Sequence, residues 1–292
     1  MMAVQEYLAP ASVDDAVAVL GEHGSAARVF AGGTDLIIQV RERRRDVGVM
    51  VDIKKIPELM QYAFTADGGL RIGAAVPCAR LYRDPEVAAK YPCLIDSASL
   101  IGGVQIQARA SLGGNLCNSS PAADSIPTLI ALGVTCEIAG SSGRRTVPVE
   151  QFCTGPGQNA LQAGEFLVAL HLPAPAAHSG AAFERFIPRN EMDIAVCNAA
   201  ANVTLSADGS RFEAARIAVG AVAPTPLLVS AAAEALVGQP VSEATIGAAA
   251  GAARAAAVPI TDMRGSTDQR RHLAGVLVTR VINKAIQRAG RA

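Results

Sequence analysis

The chain has 292 residues, half of them apolar, with 26 basic and 26 acidic side chains. This length is enough for a sizeable buried core and predicts two domains. A net charge of zero argues against a protein that binds nucleic acid or an anionic membrane through a basic surface.

The first part of the chain predicts a small βαβ-like unit. Ser12 followed by Asp15 is a capping-box-like start for a helix that is expected to end at Gly21 and Gly24. A strand over residues 28–31 then meets Gly32-Gly33. A helix that opens at Thr34-Asp35 and runs to residue 44, and a buried strand over 48–53, complete the unit.

The middle of the chain alternates strands and short helices. Strands are predicted over 70–75 and 165–172, together with a hairpin formed by 134–138 and 144–149. Helices are predicted over 85–100, with a break at Pro92, and over 126–132. The proline- and alanine-rich residues 173–177 are the best linker in the sequence.

The last part of the chain has strands first and helices afterwards, which is typical of an α+β domain. The predicted strands cover 181–186, 198–205 and 212–219. Alanine-rich helices follow over 230–237 and 242–257, and Ser266 with Gln269 is expected to cap the last helix.

Among the stretches with consecutive glycines, residues 29–36 and residues 111–115 are the candidates for ligand binding. Glycine admits positive φ and lets another molecule approach the backbone closely. A glycine loop also presents several backbone N–H groups to an anion, as a nucleotide pyrophosphate requires. Paired glycines alone usually make turns. We nevertheless favour two loops that bind one dinucleotide.

The two stretches, Ala-Gly-Gly-Thr-Asp-Leu and Ser-Leu-Gly-Gly-Asn followed by Pro-Ala-Ala-Asp-Ser, resemble a known family. It is the FAD-binding medium subunit of the molybdenum hydroxylases, the carbon monoxide dehydrogenase and xanthine dehydrogenase family. The resemblance runs from about residue 7 to residue 286.

The resemblance implies an α+β fold. An FAD-binding domain of the vanillyl-alcohol oxidase (p-cresol methylhydroxylase) type is expected over residues 1–175, in two parts of about 1–55 and 56–175. A smaller α+β domain over 178–288 is expected to carry a three-stranded antiparallel sheet with helices.

The resemblance also assigns residues to the cofactor. Residues 29–36 match the first pyrophosphate loop and 111–115 the second, while Asp124 matches an acidic residue that holds the nucleotide. Ile101 and Leu167 match positions beside the flavin ring, and Arg185 matches a basic residue near the flavin that is more often lysine. The complete FAD set is Val29, Phe30, Ala31, Gly32, Gly33, Thr34, Asp35, Leu36, Ile101, Ser111, Leu112, Gly113, Gly114, Asn115, Asp124, Leu167 and Arg185.

The function implied by the resemblance is electron transfer within an oxidoreductase complex. A large subunit with a molybdenum cofactor would oxidise the substrate, and a small subunit with two [2Fe–2S] clusters would pass electrons to the FAD of this chain and on to an external acceptor. The expected assembly is a dimer of heterotrimers. The residues agree with this role, because the six cysteines include no C-x-x-C pair and no histidine pair has metal-ligand spacing.

Two alternatives remain open. One is a stand-alone FAD-dependent oxidase or dehydrogenase with its own small-molecule substrate, although such relatives are usually longer and often attach flavin through histidine or cysteine. The other is a nucleotide-binding scaffold without redox activity. Neither glycine stretch contains a histidine, so noncovalent FAD is expected.

No apolar run approaches the ~20 residues that a membrane-spanning helix needs. The first six residues, Met-Met-Ala-Val-Gln-Glu, lack both the basic and the hydrophobic part of a signal peptide. A cytoplasmic location is therefore expected.

Overall fold

The structure is a computed structural model that describes residues 4–189 and 192–290. Within these residues the strands form a three-stranded, a five-stranded, a four-stranded and a two-stranded sheet. The three-stranded, five-stranded and four-stranded sheets follow one another along the chain. The two strands of the smallest sheet come directly before the last strand of the five-stranded sheet in the sequence.

The three-stranded sheet is parallel and has the order β1-β3-β2. Its elements are β1 (Glu6–Leu8), α1 (Val13–His23), β2 (Ala27–Phe30), α2 (Leu36–Arg41) and β3 (Val49–Asp52), with short 3₁₀ turns at Gly24–Ala26 and Ile53–Lys55. The predicted βαβ unit is confirmed. Ser12 Oγ accepts a hydrogen bond from Asp15 N at 3.1 Å, so the predicted cap is present. The helix ends at Gly24, and the expectation that Gly21 would end it is wrong.

The five-stranded sheet has the order β4-β5-β10-β6-β7, and each pair of neighbouring strands is antiparallel. Its strands and the two-stranded hairpin are β4 (Tyr62–Phe64), β5 (Leu70–Gly73), β6 (Thr135–Gly140), β7 (Gly143–Pro148), β8 (Cys153–Gly155), β9 (Gln158–Asn159) and β10 (Phe166–Leu172), with a 3₁₀ turn at Val149–Gln151. The predicted hairpin and the predicted strand before the linker are therefore present.

Seven helices of the described chain lie between β3 and β6. They are α3 (Pro57–Met60), α4 (Cys78–Tyr82), α5 (Pro85–Lys90), α6 (Pro92–Ala98), α7 (Val104–Gln107), α8 (Leu112–Asn118) and α9 (Ser125–Ala131). Pro92 occupies the first turn of α6 and separates it from α5, as predicted. Helix α8 falls on the second glycine stretch, which was expected to be a loop.

The four-stranded sheet has the order β11-β12-β13-β14 and is antiparallel. Its elements are β11 (Ser179–Phe186), β12 (Cys197–Leu205), β13 (Phe212–Gly220), β14 (Leu227–Leu228), α10 (Ser230–Glu234), α11 (Glu243–Ala256) and α12 (Thr267–Ala289). The three predicted strands are present, and the two-residue β14 adds a fourth. Ser266 Oγ accepts from Gln269 N at 3.2 Å, so the predicted cap of α12 is also present.

Both faces of this last sheet are buried. Ala181, Phe183 and Ala200 belong to a core shared with the preceding helices and the five-stranded sheet. Ala182 and Ala199, which point the other way, pack in a separate core with α11 and α12. Alternate residues thus enter two cores, which explains the runs of alanine in the three long strands.

A partly buried carboxylate joins this part of the chain to the helices before it. Asp96 on α6 accepts hydrogen bonds from Arg288 at 2.6 and 3.0 Å and from Lys284 at 3.3 Å, both on α12. It also accepts one from the Phe183 N–H on β11 at 3.2 Å. One side chain therefore holds both a helix and a strand.

In the described ranges, no helix has both the length and the apolar character needed to pass through a lipid bilayer.

Candidate functional site

The first glycine stretch lies where two parallel strands end. It connects β2 to α2, beside the carboxyl end of β3. Gly33 has φ +73°, so a side chain there would be strained. A Cβ on Gly32 would lie 2.1 Å from the Arg109 carbonyl oxygen, so this position has no room for one. Helix α2 begins at Leu36, directly after the predicted opening at Thr34-Asp35, and Asp35 is its N-cap residue although its side chain makes no capping bond.

The second glycine stretch is the start of a helix, which corrects the prediction of a loop. Ser111 is the N-cap of α8, and its Oγ accepts from Gly114 N at 3.0 Å. Gly113 and Gly114 both have ordinary helical backbone and negative φ. Gly113 is needed for packing, since its Cβ would lie 2.5 Å from the Ala74 carbonyl oxygen. Gly114 is exposed, and its Cβ would meet only Ser111 Oγ, at 3.1 Å.

The fold brings the two stretches together. Gly32 packs on the backbone of Arg109 and Ala110, directly before the Ser111 cap. Asn118, at the end of α8, donates to Asp35 at 3.3 Å. Asn118 also accepts from Gln39 on α2 at 3.2 Å. Residues that are about eighty positions apart in the sequence therefore form one surface.

This surface carries a set of backbone N–H groups without protein acceptors. Across 4–189 and 192–290, no acceptor is found for the N–H groups of residues 32–35 or for that of Gly113 in the first turn of α8, whereas the bridge between Pro77 and Ser111 directs the Leu112 N–H to Val76. Free N–H groups in a glycine turn and at a helix start favour an anion. The arrangement is therefore suited to a phosphate group.

Asp124 and Arg185 form a buried pair. Arg185 Nη1 donates to Asp124 Oδ2 at 2.7 Å, and the two side chains are 6% and 12% exposed. Burial raises the pKa of Asp124 to about 6 despite the opposing effect of Arg185. Asp124 Oδ1 is buried and has no partner among the described residues. A free acceptor of this kind suits a ligand hydroxyl group.

Asn115 links the second glycine stretch to the region of this pair. Its Oδ1 accepts from Ser125 Oγ at 2.6 Å, and Ser125 directly follows Asp124. Since Asn115 is on α8 and Ser125 begins α9, the contact fixes the two helices relative to each other.

Ile101 and Leu167 are both buried core residues. They belong to the same cluster as Leu112, the first residue of α8. Leu167 lies at an irregularity of β10, where the register with β6 shifts between residues 167 and 169. The carbonyl of Val168, in between, accepts from the N–H of Ala74, the residue that packs on Gly113.

Several polar residues at the first glycine stretch were not predicted. Lys54 donates to the Ala31 carbonyl at 2.7 Å and to Asp52 at 2.6 Å, and Tyr7 donates to the other oxygen of Asp52 at 2.6 Å. Arg109 donates to the Gly32 carbonyl at 3.4 Å. Parallel strands end at a common edge, so Asp52 at the end of β3 and Lys54 just after it were a usable signal in the sequence. Tyr7 and Arg109 carried no such signal.

Comparison with known proteins identifies the family. The family described as "FAD binding domain in molybdopterin dehydrogenase" matches residues 2–175, and that described as "CO dehydrogenase flavoprotein C-terminal domain" matches 182–285. The chain belongs to the FAD-binding subunits of the molybdenum hydroxylases.

Relatives and solved structures match this subunit over nearly its whole length. A putative xanthine dehydrogenase FAD-binding subunit of Escherichia coli (strain K12) is 34% identical over 285 residues, 97% of each chain. The carbon monoxide dehydrogenase medium chain of Hydrogenophaga pseudoflava is 34% identical over 281 residues, 96% of each chain.

The solved carbon monoxide dehydrogenase of Hydrogenophaga pseudoflava superposes with a TM-score of 0.94 at 35% identity, covering 99% of each chain. Quinoline 2-oxidoreductase from Pseudomonas putida 86 gives 0.91 at 34% identity, again over 99% of each chain.

The chemistry of the site fits the cofactor of this family of oxidoreductase subunits. FAD has an anionic pyrophosphate, for which the free N–H groups of the glycine stretches are suitable donors. It also has ribose and ribityl hydroxyl groups, which can donate to a free carboxylate oxygen such as Asp124 Oδ1. The donor set and the acceptor therefore match different parts of one dinucleotide.

Proposed function

We propose that this chain is the FAD-carrying electron-transfer subunit of a cytoplasmic molybdenum hydroxylase or dehydrogenase. The observation that carries the proposal is the likeness over 96–99% of the chain to subunits of carbon monoxide dehydrogenase and xanthine dehydrogenase. A large partner subunit with a molybdenum cofactor would oxidise the substrate. A small partner subunit would carry two [2Fe–2S] clusters. The proposed assembly is a dimer of such heterotrimers.

Bound FAD would supply the redox chemistry, by which electrons pass from the partner's iron–sulfur clusters to an external acceptor. The role of this chain is to bind and orient the cofactor. No acid or base from the chain is required for substrate oxidation, because the proton transfers of that step would take place on the subunit that oxidises the substrate.

We assign the pyrophosphate to the two glycine stretches, residues 29–36 and 111–115. The free N–H groups of residues 32–35 and the first turn of α8 support this assignment. Asp124 is proposed to accept from a sugar hydroxyl of the nucleotide, with Arg185 holding its other oxygen. Ile101 and Leu167 are proposed to lie beside the flavin ring, Leu167 through its backbone.

The domain limits are part of the proposal. Residues 1–175 would form the FAD-binding domain, in parts of about 1–55 and 56–175, and 178–288 the C-terminal α+β domain. The three-stranded and five-stranded sheets fall within the first range and the four-stranded sheet within the second. The six residues 173–178 between β10 and β11 belong to no helix or strand.

The decisive experiment follows the oxidised flavin absorbance under anaerobic conditions. The purified chain with FAD should stay oxidised when carbon monoxide, an aldehyde, a purine or another N-heterocycle is added. Bleaching is expected only after the iron–sulfur and molybdenum subunits are supplied with the substrate of the complex. Dithionite should reduce the flavin in the single chain, which controls for a cofactor that is present but inert.

A stand-alone FAD-dependent oxidase or dehydrogenase gives the opposite result. Bleaching of the single chain by a small organic substrate would establish that function and overturn the subunit proposal. A chain that never acquires a flavin spectrum would leave only a nucleotide-binding scaffold.

A further inference from the structure

Two cationic side chains hold consecutive carbonyl groups of the first glycine stretch. Lys54 Nζ donates to the Ala31 carbonyl at 2.7 Å. Arg109 Nη2 donates to the carbonyl of the next residue, Gly32, over a longer 3.4 Å. The third carbonyl, that of Gly33, accepts from the N–H of Ile37 in α2 at 3.0 Å. Three peptide groups in succession are therefore tied through their oxygens.

The orientation of a carbonyl decides the orientation of the next N–H group. A peptide unit is planar, and in the trans form its C=O and N–H point in opposite directions. The described residues contain no cis peptide bond. Because Lys54 holds the Ala31 carbonyl, the Gly32 N–H points away from Lys54. Because Arg109 holds the Gly32 carbonyl, the Gly33 N–H points away from Arg109. These are two of the N–H groups without a protein acceptor.

The lysine is itself firmly held. Its ammonium group bonds Asp52 Oδ1 at 2.6 Å, while the hydroxyl of Tyr7 donates to Asp52 Oδ2 at 2.6 Å. The Asp52 side chain is only 9% exposed and that of Lys54 is 25% exposed. The ammonium group also lies 4.5 Å from the centre of the Phe30 ring. Such a network leaves the Lys54 side chain little freedom to move.

Glycine closes the other side of the loop. Because a Cβ on Gly32 would lie 2.1 Å from the Arg109 carbonyl oxygen, the backbone of residue 32 rests directly on the segment before α8. The loop is thus held between Lys54 and the chain that leads into the second glycine stretch.

We propose that Lys54 and Arg109 are positioning residues for the nucleotide, which aim the Gly32 and Gly33 N–H groups at its pyrophosphate by fixing the preceding carbonyls. Lys54 has the larger effect, because its contact is shorter and less exposed. This inference rests on the proposed function, since it requires that the glycine stretches bind FAD.

The test titrates the full-length apo-protein with FAD and, separately, with riboflavin, which has the flavin ring but no pyrophosphate. The variant Lys54→Met should weaken FAD binding about 10-fold, because the hydrogen bonds from the loop N–H groups to the anionic pyrophosphate lose their alignment. Its affinity for riboflavin should equal that of the unchanged protein. Lys54→Arg retains a cationic donor and should restore most of the FAD affinity.

A matched control is next in the sequence. Lys55 is exposed and makes no hydrogen bond or ion pair with the described residues, so Lys55→Met removes the same charge without touching the loop. It should bind both ligands as the unchanged protein does. If Lys55→Met loses as much FAD affinity as Lys54→Met, general electrostatic attraction explains the effect and the inference fails.

The remaining outcomes are equally decisive. Equal FAD affinity in Lys54→Met and in the unchanged protein overturns the inference alone, whereas an unchanged protein that binds no FAD overturns the proposed function. Parallel losses for FAD and riboflavin show a purely structural role and also overturn it. Should Lys54→Met fail to fold, the exposed Arg109→Met provides the same comparison: a loss of about 3-fold, selective for FAD, supports the inference, and no loss overturns it.

Discussion

At the scale of single residues, the two glycines at the start of α8 have different tasks. Gly113 is buried against Ala74, whereas Gly114 is exposed and its Cβ would meet only Ser111 Oγ, at 3.1 Å. The requirement for glycine is therefore one of packing at residue 113. At residue 114 it is consistent with close approach of a ligand.

We expect Gly114→Ala to keep the fold but to weaken FAD binding by about 10-fold or more, because a methyl group would occupy the approach to the helix N–H groups. Gly113→Ala should instead lower the free energy of unfolding, since its Cβ would lie 2.5 Å from the Ala74 carbonyl oxygen. Thermal unfolding and FAD titration separate the two effects.

A control glycine outside the proposed FAD site lies on α11. Gly247 is exposed with nothing near its Cβ position, so Gly247→Ala should raise the free energy of unfolding by about 1 kcal/mol and leave FAD affinity unchanged. If Gly114→Ala binds FAD as well as Gly247→Ala does, residue 114 lies outside the pyrophosphate site.

Asp124 gives a prediction about pH. Burial raises its pKa from 3.8 to about 6 in the folded chain, against the opposing effect of Arg185. At pH values between these two pKa values, the folded state therefore binds more protons than the unfolded state. The contribution of Asp124 to the free energy of unfolding therefore falls as the pH rises from about 4 to about 6, and is constant above that range.

FAD affinity should follow the opposite trend. Only the ionised carboxylate can accept at both oxygens, from Arg185 at Oδ2 and from a sugar hydroxyl at Oδ1, so affinity should rise as the pH rises through about 6. Asp124→Asn should remove this pH dependence and weaken FAD binding at pH 7.5 by about 1–3 kcal/mol. An Asp124→Asn protein with an unchanged pH profile would contradict the assignment.

At the scale of elements, the ion pairs of Asp96 connect α6 with α12 and β11. Removing the carboxylate would leave Arg288 and Lys284 without this partner and the Phe183 N–H without its acceptor. The side chains of Asp96 and Arg288 are 17% and 23% exposed, so the network is shielded from solvent for the most part.

We therefore expect Asp96→Ala to lower the free energy of unfolding by about 2 kcal/mol in urea denaturation. Asp46→Ala is the control, because Asp46 is exposed and forms no hydrogen bond or ion pair with the described residues. A change no larger than that of the control would show that packing alone holds α12 against β11.

At the scale of the whole molecule, the cofactor is expected to be held without a covalent bond. The proposed contacts are backbone N–H groups and one carboxylate, and residues 29–36 and 111–115 contain no histidine or cysteine that could attach flavin. Acid or heat denaturation should release FAD into the supernatant, where its absorbance measures it. Flavin that stays with the precipitated chain would contradict this expectation.

Local signals predicted much of the fold. The helix starts at Ser12 and Ser266, the break at Pro92 and the hairpin around residues 141–142 are present as predicted, because caps, proline and turns act within a few residues. The second glycine stretch was predicted wrongly as a loop. Glycine disfavours a helix locally, but the Ser111 cap and the close packing of Gly113 on Ala74 outweigh that preference.

The candidate site was only partly accessible from sequence. The motifs named the two glycine stretches, Asp124 and Arg185, whose roles toward FAD stay predictions. The pairing of Asp124 with Arg185 joins residues 61 positions apart, and that of Lys54 with Ala31 joins residues 23 apart. Sequence spacing does not indicate which of these side chains meet, although the position of Lys54 after β3 places it at the edge of the sheet where β2 also ends.

The sequence by itself determined the class of the protein, because its two glycine motifs resemble those of a known family and the resemblance implies the fold. Only the tertiary structure decided how the site is built. It placed Gly32 on the Arg109 backbone, made the second stretch a helix start and set Lys54 against the Ala31 carbonyl. The physical reason is that donor orientation depends on which distant groups hold each carbonyl, and this depends on packing between elements rather than on local preference.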